Sequence, residues 1–429
     1  MRTFSRLIIA ASLVTIPFAV AACTSDDDDT ATESTGGKAT GGKPATGGEA
    51  NEGGSGNDTA SGGKGGVEEQ GETITLSDEL DDMTLEAKNE YILEGFVYVP
   101  SGVTLTIEPG TTIRGDKETL GTLIVERGGK IMAEGTEDEP IVFTAATEKP
   151  RPGDWGGVVI LGKAPNAKGK DVNVEGTEAD PRHEFGGTKD NDNSGVLKYV
   201  RIEYPGIDLG QGNEINGLSL GSVGSGTTIS HVMVSQSLDD CYEWFGGTVN
   251  ADHLICDGPG DDMFDTDDGY TGELSYLLGL HWAPQSSDPN GFEWDGTTDY
   301  EGPFTTVVDA SHVTLCGSGN ADYAMRLRRG IEGSISDLIG VGFSGGFSLT
   351  EGAEGAVTIE DSTLNVPELN PADEGLESWF TDDPSNNEDD VGFDAEECMQ
   401  AGGPSDAVVE SDMGAFSDGD WVHGGWTGW

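Results

Sequence analysis

The chain has 429 residues, with 79 Asp and Glu against 22 Lys and Arg, for a formal net charge of −57. Such a field repels nucleic-acid phosphates and anionic membrane surfaces, so neither is an expected partner. With 67 glycines and no sustained 3.6-residue apolar period, long helices are not expected, and a helical channel or transporter is excluded with them.

Residues 1–22 read as an export signal. Arg2 and Arg6 precede "LIIAASLVTIPFAVAA" (Leu7–Ala22), and these 16 residues fall short of a bilayer span. The run ends on small residues directly before Cys23, and "VAAC" resembles the bacterial lipobox. That resemblance implies a lipid on Cys23 as the mature N-terminus. Thr24 rather than Asp at the next position points to the outer membrane. The expected location is the cell envelope, lipid-anchored, periplasmic or surface-exposed, with no transmembrane helix in the mature chain. Residues 23–71 are Gly/Ser/Thr/Asp-rich without apolar periodicity, a composition that reads as a disordered tether. Gly-rich coil statistics give it a reach of roughly 40 Å.

The middle of the chain repeats. "SHVMVSQSLDDCYEWFGG" (Ser230–Gly247) aligns with "DHLICDGPGDDMFDTDDG" (Asp252–Gly269) without gaps, and three looser copies follow. Short β-rich runs closed by Gly/Asp turns, recurring about every 22 residues, predict an all-β parallel β-helix over 72–365. Alternation places Val232, Leu254, Leu277 and Val313 inward, with Val234, Cys256, Gly279 and Leu315 two positions on. Tyr242, Phe264 and Phe292 should form an aromatic column, and the same parity sends Trp244 and Trp294 to the core.

Longer motifs carry a resemblance. "GVTLTIEPGTTIRGD", "GTLIVERGGKIMAEGTEDEPIVFTA", "GDWGGVVILGKAP", "DNDNSGVLKYVRIEYPG" and "NEINGLSLGSVGSGTTISHVMVSQSLDD" are similar to a group of secreted bacterial right-handed parallel β-helix proteins, as is the C-terminal "GAFSDGDWVHGGWTGW". The resemblance implies architecture and location, and no reaction. Residues 366–429 lack the repeat and read as an acidic, loop-rich, Trp-rich cap, with Trp421, Trp426 and Trp429 docking on the helix.

In repeat register, Asp240 falls over Asp262 and Asn290, Glu243 over Asp265 and Glu293, and Asp267 over Asp295. Asp262 faces out only if a turn intervenes before Phe264. Carboxylates about 5 Å apart repel by about 3 kcal/mol at an effective dielectric of 20, so such a face raises its own pKa values or recruits a cation. Calcium, a hard ion taking six to eight oxygens, is the expected one, with Asp240, Glu243, Asp262, Asp265 and Glu293 as candidate ligands. "DNDNSG" (Asp190–Gly195) offers Asp190 and Asp192 as half a calcium loop, but Arg201 stands where the bidentate acid belongs. His231, His253, Tyr276 and His312 share a column that reads as a ring stack rather than a metal site.

Two functional classes compete. A lipid-anchored binding, adhesion or scaffold module would engage glycan or surface components through this face. An extracellular polysaccharide-degrading enzyme would use weak catalytic candidates, Asp262, Asp265 and Arg326. "LDDC" and "GDD" resemble the paired aspartates of β-helix polygalacturonases, which invert. A calcium-assisted lyase would instead take its base from Arg326, Arg328 or Arg329, although these residues more simply neutralise neighbouring acids. Cys241, Cys256, Cys316 and Cys398 allow three disulfide pairings or none, and no C-x-x-C pair indicates zinc.

Overall fold

In the computed structural model, the described residues are 71–429 apart from 209–213, 283–285, 287–288, 298–303, 351, 354, 372–373 and 401. Cys23 and the tether lie outside them. Among the described residues no helix is long and apolar enough to cross a membrane.

The chain forms a right-handed parallel β-helix whose strands join one 23-stranded parallel sheet. Each coil of its second half contributes one long and one short strand. The long strands Thr228–Ser235, Ala251–Asp257, Thr271–Leu280, Val307–Cys316 and Glu332–Val341 pair in succession. The short strands Leu218–Val223, Tyr242–Gly247, Phe264–Asp267, Phe292–Asp295 and Tyr323–Arg328 do the same. Val232, Leu254, Leu277 and Val313 stack inward, fully buried, as alternation requires. The Tyr242–Phe264–Phe292 column is present and continues into Met325 and Phe347. Trp244 and Trp294 are buried core residues.

One residue per coil bends the long strand. His231, His253, Tyr276 and His312 have φ of 53–57°, a left-handed conformation that costs a non-glycine residue about 1–2 kcal/mol. Their rings offset that strain by stacking at centroid spacings of 4.3–4.7 Å, with Tyr199 beneath. Inserting this one residue preserves the alternation on either side, which is why the inward columns could be read through it.

Alternation also turns Met233, Ile255, Leu278 and Ile339 outward, and an outward apolar stripe needs a cover. Val408, Phe416, Val422 and Trp426 supply it, lying along the flank of the coils. Trp421 meets His253 edge-on at 5.0 Å, Trp426 meets Tyr199 at 5.9 Å, and the Trp426 carbonyl accepts from Arg201. The Cys316–Cys398 disulfide fastens this strap, and Cys241–Cys256 links neighbouring coils. A different segment closes the end: Leu369 and Phe380 join the core, and Trp379 stacks edge-on against Phe347 at 4.9 Å. Residues 366–429 thus do two jobs, an end plug and a lateral strap.

A second outward apolar stripe (Ile124, Val159, Leu161 and Phe245, on the short-strand face) is covered by Val174, Phe185, Ile207 and Ile215. Val174 and Phe185 belong to the insertion between the strands Gly157–Leu161 and Gly195–Glu203. Where this apolar cover ends, the same outward columns turn acidic.

Candidate functional site

Two outward columns on the short-strand face build the site. The first runs Val159, Ser219, Glu243, Asp265, Glu293 and Arg326. The second runs Leu161, Gly221, Phe245 and Asp267, and Asp295 pairs with Arg328 beside it. Both follow from alternation: Phe264 and Phe292 point in, so Asp265 and Glu293 point out.

Asp240 and Asp262 form a third column in the turns before the short strands. The Asp240 carboxylate accepts the backbone N–H of Asp262 at 2.8 Å, 22 residues on. The Asp262 carboxylate accepts from the Asn290 backbone at 2.5 Å and its side-chain amide at 3.0 Å. The turn needed to expose Asp262 exists, because the strand starts only at Phe264. Both aspartates are nevertheless buried.

Burial first, and mutual repulsion second, pushes Asp240, Glu243, Asp262 and Asp265 well above the usual carboxylate range. Asp267 is pushed up to about 7 by burial and Asp268. Burial raises Glu293 too, although Arg328 and Arg326 pull the other way. Carboxylate oxygens of Asp240, Glu243 and Asp265 come within 4.8 Å of one another, as do those of Asp239, Asp240 and Asp261. Two oxygens sharing an ion at about 2.4 Å can be separated by no more than about 4.8 Å, so each triad meets the limit for joint calcium coordination. Neutral oxygen is available as well: buried Asn216 donates its amide N–H to Glu243, leaving its own Oδ1 unpartnered. Asp265 Oδ1 is likewise enclosed without a hydrogen-bond partner among the described residues.

The three catalytic candidates do not converge. Arg326 donates to Glu293 at 3.2 Å, and Glu293 stands between it and Asp265 in the column. Arg328 holds Asp295 through two hydrogen bonds of 2.7 and 2.8 Å and also reaches Glu293. Arg329 binds Asp295 at 2.7 Å. These arginines neutralise one end of the acid face and leave the Asp240–Glu243–Asp265 end to itself.

Asp190 and Asp192 belong elsewhere, and among the described residues neither joins a group that could share an ion. Asp192 is buried, accepting the Lys163 backbone N–H at 2.9 Å and pairing with Lys189 at 3.3 Å. Asp190 is exposed, and its carbonyl accepts from Ser225 and Thr248. Within "DNDNSG" the buried acid is thus tied to Lys163 and Lys189. His231, His253 and Asp252 do approach one another, but the two imidazoles lie parallel within 8°. Their in-plane lone pairs run side by side and cannot meet on one ion without a ring tilting.

Two aromatic residues that the sequence reading passed over flank the acids. Trp282 and Phe304 are the exposed large hydrophobics of the described chain, at 39% and 40%. The Trp282 indole N–H donates to Asp257, whose carboxyl burial pushes up to about 6. Its neighbour His281 donates to the Asp261 carbonyl at 2.6 Å. Phe304 lies against Gly269 at the Asp267–Asp268 end, where Lys168 pairs with Asp268 at 2.8 Å. Neither aromatic follows the repeat: Trp282 stands just beyond a long strand and Phe304 just before the next, so the register gave no signal for them.

No curated protein and no solved structure matches the chain. Over residues 76–427, nearly the whole of the folded part, the sequence matches the pectate-lyase-like β-helix domain, and the chain belongs to that family.

Proposed function

We propose that this protein is a non-catalytic carbohydrate-binding β-helix of the cell envelope, tethered through a lipid on Cys23, whose acid pocket is loaded with calcium. The observation that carries the reading is the Asp240–Glu243–Asp265 triad, two of its acids buried and the third half-buried, on a molecule whose exposed large hydrophobics, among the described residues, are Trp282 and Phe304. Exposed rings suit stacking on sugars, and a bound cation would supply oxygen-seeking charge. The spacing disfavours an inverting hydrolase, whose carboxyl pair stands about 6.5–9.5 Å apart to admit water. Catalysis also needs one protonated and one ionised carboxyl, whereas burial raises these acids as a block.

Calorimetric titration with a glycan library in calcium should give saturable binding that weakens at least about tenfold in Trp282→Ala and in Phe304→Ala. Release of oligosaccharide product from any of those glycans would overturn the binding reading in favour of a lyase or hydrolase.

A further inference from the structure

A second pocket lies on the insertion that covers the short-strand face, and its lining inverts the charge of the rest of the molecule. Arg127, Lys163, Lys170 and Lys189 converge on a cavity of about 430 Å³ floored by the turn 186–188. No carboxylate lines it, in a chain with only 22 basic residues against 79 acidic ones. The acids stand behind and position the cations: Asp171 and Glu184 hold the Arg127 guanidinium at 2.7 and 3.0 Å, and Asp192 holds Lys189. Lys163 is different. Its backbone N–H and carbonyl are used by Asp192 and Lys189, but among the described residues its ammonium has no carboxylate partner. The ammonium rests against Gly128. Gly128 has φ of 92°, and a side chain there would collide with it, so the bare backbone is what admits the charge.

We infer that this pocket binds a tetrahedral oxyanion, a sulfate or phosphate ester group carried on a sugar. A planar carboxylate is best met by the two-pronged fork of arginine, and the only arginine here already spends its fork on Asp171 and Glu184. What remains are lysine ammoniums, point charges that approach from several sides and suit a compact anion with oxygens in all directions. The net charge of −57 opposes anions at long range. At about 0.1 M salt that repulsion is screened beyond about 10 Å, so the local cations decide. The inference uses residues apart from the acid triad and stands independently of the calcium reading.

The test is calorimetric titration of the full chain with inorganic sulfate, a hexose sulfate, a hexose phosphate and galacturonate. The hexose sulfate or the hexose phosphate should bind saturably, tighter than inorganic sulfate and at least about fivefold tighter than galacturonate; whichever ester is preferred identifies the source. Lys163→Gln should weaken that ester at least about tenfold while leaving the calcium response intact. Should Lys163→Gln fail to fold, the solvent-exposed Lys170→Gln serves, with at least a threefold loss expected. Absence of saturable binding, preference for galacturonate, or a less than twofold effect of these variants would overturn the inference.

Discussion

Replacing Asp265 with Asn should raise the melting temperature in chelator and abolish the further rise that calcium gives the unaltered chain. The two effects have one cause. Asp265 lies between Glu243 and Glu293 in its column, and its Oδ1 is enclosed without a hydrogen-bond partner. Neutralising it therefore removes repulsion without breaking a bond. A like-charge pair about 5 Å apart costs about 3 kcal/mol at an effective dielectric of 20, and proton uptake already relieves part of this. A net gain of about 1–2 kcal/mol is expected, which at roughly 2 °C per kcal/mol for a large domain is a few degrees. Scanning calorimetry of both proteins, with and without calcium, checks it. A variant less stable in chelator that still responds to calcium would mean Asp265 is an ordinary structural residue.

Arg328→Met should do the opposite, and by more. Arg328 is the partner of buried Asp295 and reaches Glu293. Asp295 keeps Arg329 and Glu293 keeps Arg326, so the loss removes part of the compensation only, and a cost of about 2–3 kcal/mol is expected for the charged hydrogen bonds broken. The penalty should be largest at neutral pH and shrink on acidification, as Glu293, already raised by burial, takes a proton instead. Adding Glu293→Gln and Asp295→Asn to Arg328→Met should restore most of the loss. Denaturant unfolding across this series measures both points. An Arg328→Met protein of unchanged stability would remove the arginines from the account of how this face is balanced.

The fold was legible because a solenoid writes its register into the chain. Val232, Leu254, Leu277 and Val313 recur at equivalent places, and alternation then assigns each neighbour a side. The left-handed residues at His231, His253, Tyr276 and His312 did not disturb this, since each inserts one position and restores parity. The acid columns were legible for the same reason. Residues that reach the site from outside the repeat were not. Asn216 and Lys168 arrive from turns and the insertion, and Trp282 and Phe304 stand beyond strand ends. The disulfides were open in sequence because Cys398 belongs to the strap, whose course depends on the outward stripe of Met233, Ile255 and Leu278. In "DNDNSG" the ties of Asp192 to Lys163 and Lys189 were not legible, because Lys163 is distant in sequence and Lys189 is silent in the motif.

Whether the acid face carries its burden as protons or as calcium is tested most directly by melting temperature at pH 5 and pH 8, in calcium and in chelator. Folded-state pKa values raised above those of the unfolded chain contribute stability below about pH 4, which is lost as the medium rises through the folded values. Asp267, at about 7, titrates within the window, and Asp240, Glu243, Asp262 and Asp265 also lie well above their usual range. Carboxylates held low by partners, such as Asp154 and Asp420, titrate below this window. His231 and His281, lowered to about 4 by burial, instead gain stability as the pH rises through the unfolded imidazole range and offset part of the loss. In chelator the melting temperature should fall from pH 5 to pH 8. Calcium at a hundredfold excess over its dissociation constant, worth about 2.7 kcal/mol, should recover about 5 °C at pH 8 and much less at pH 5. A melting temperature in chelator that is flat or rises with pH, or one indifferent to calcium at pH 8, would contradict the account.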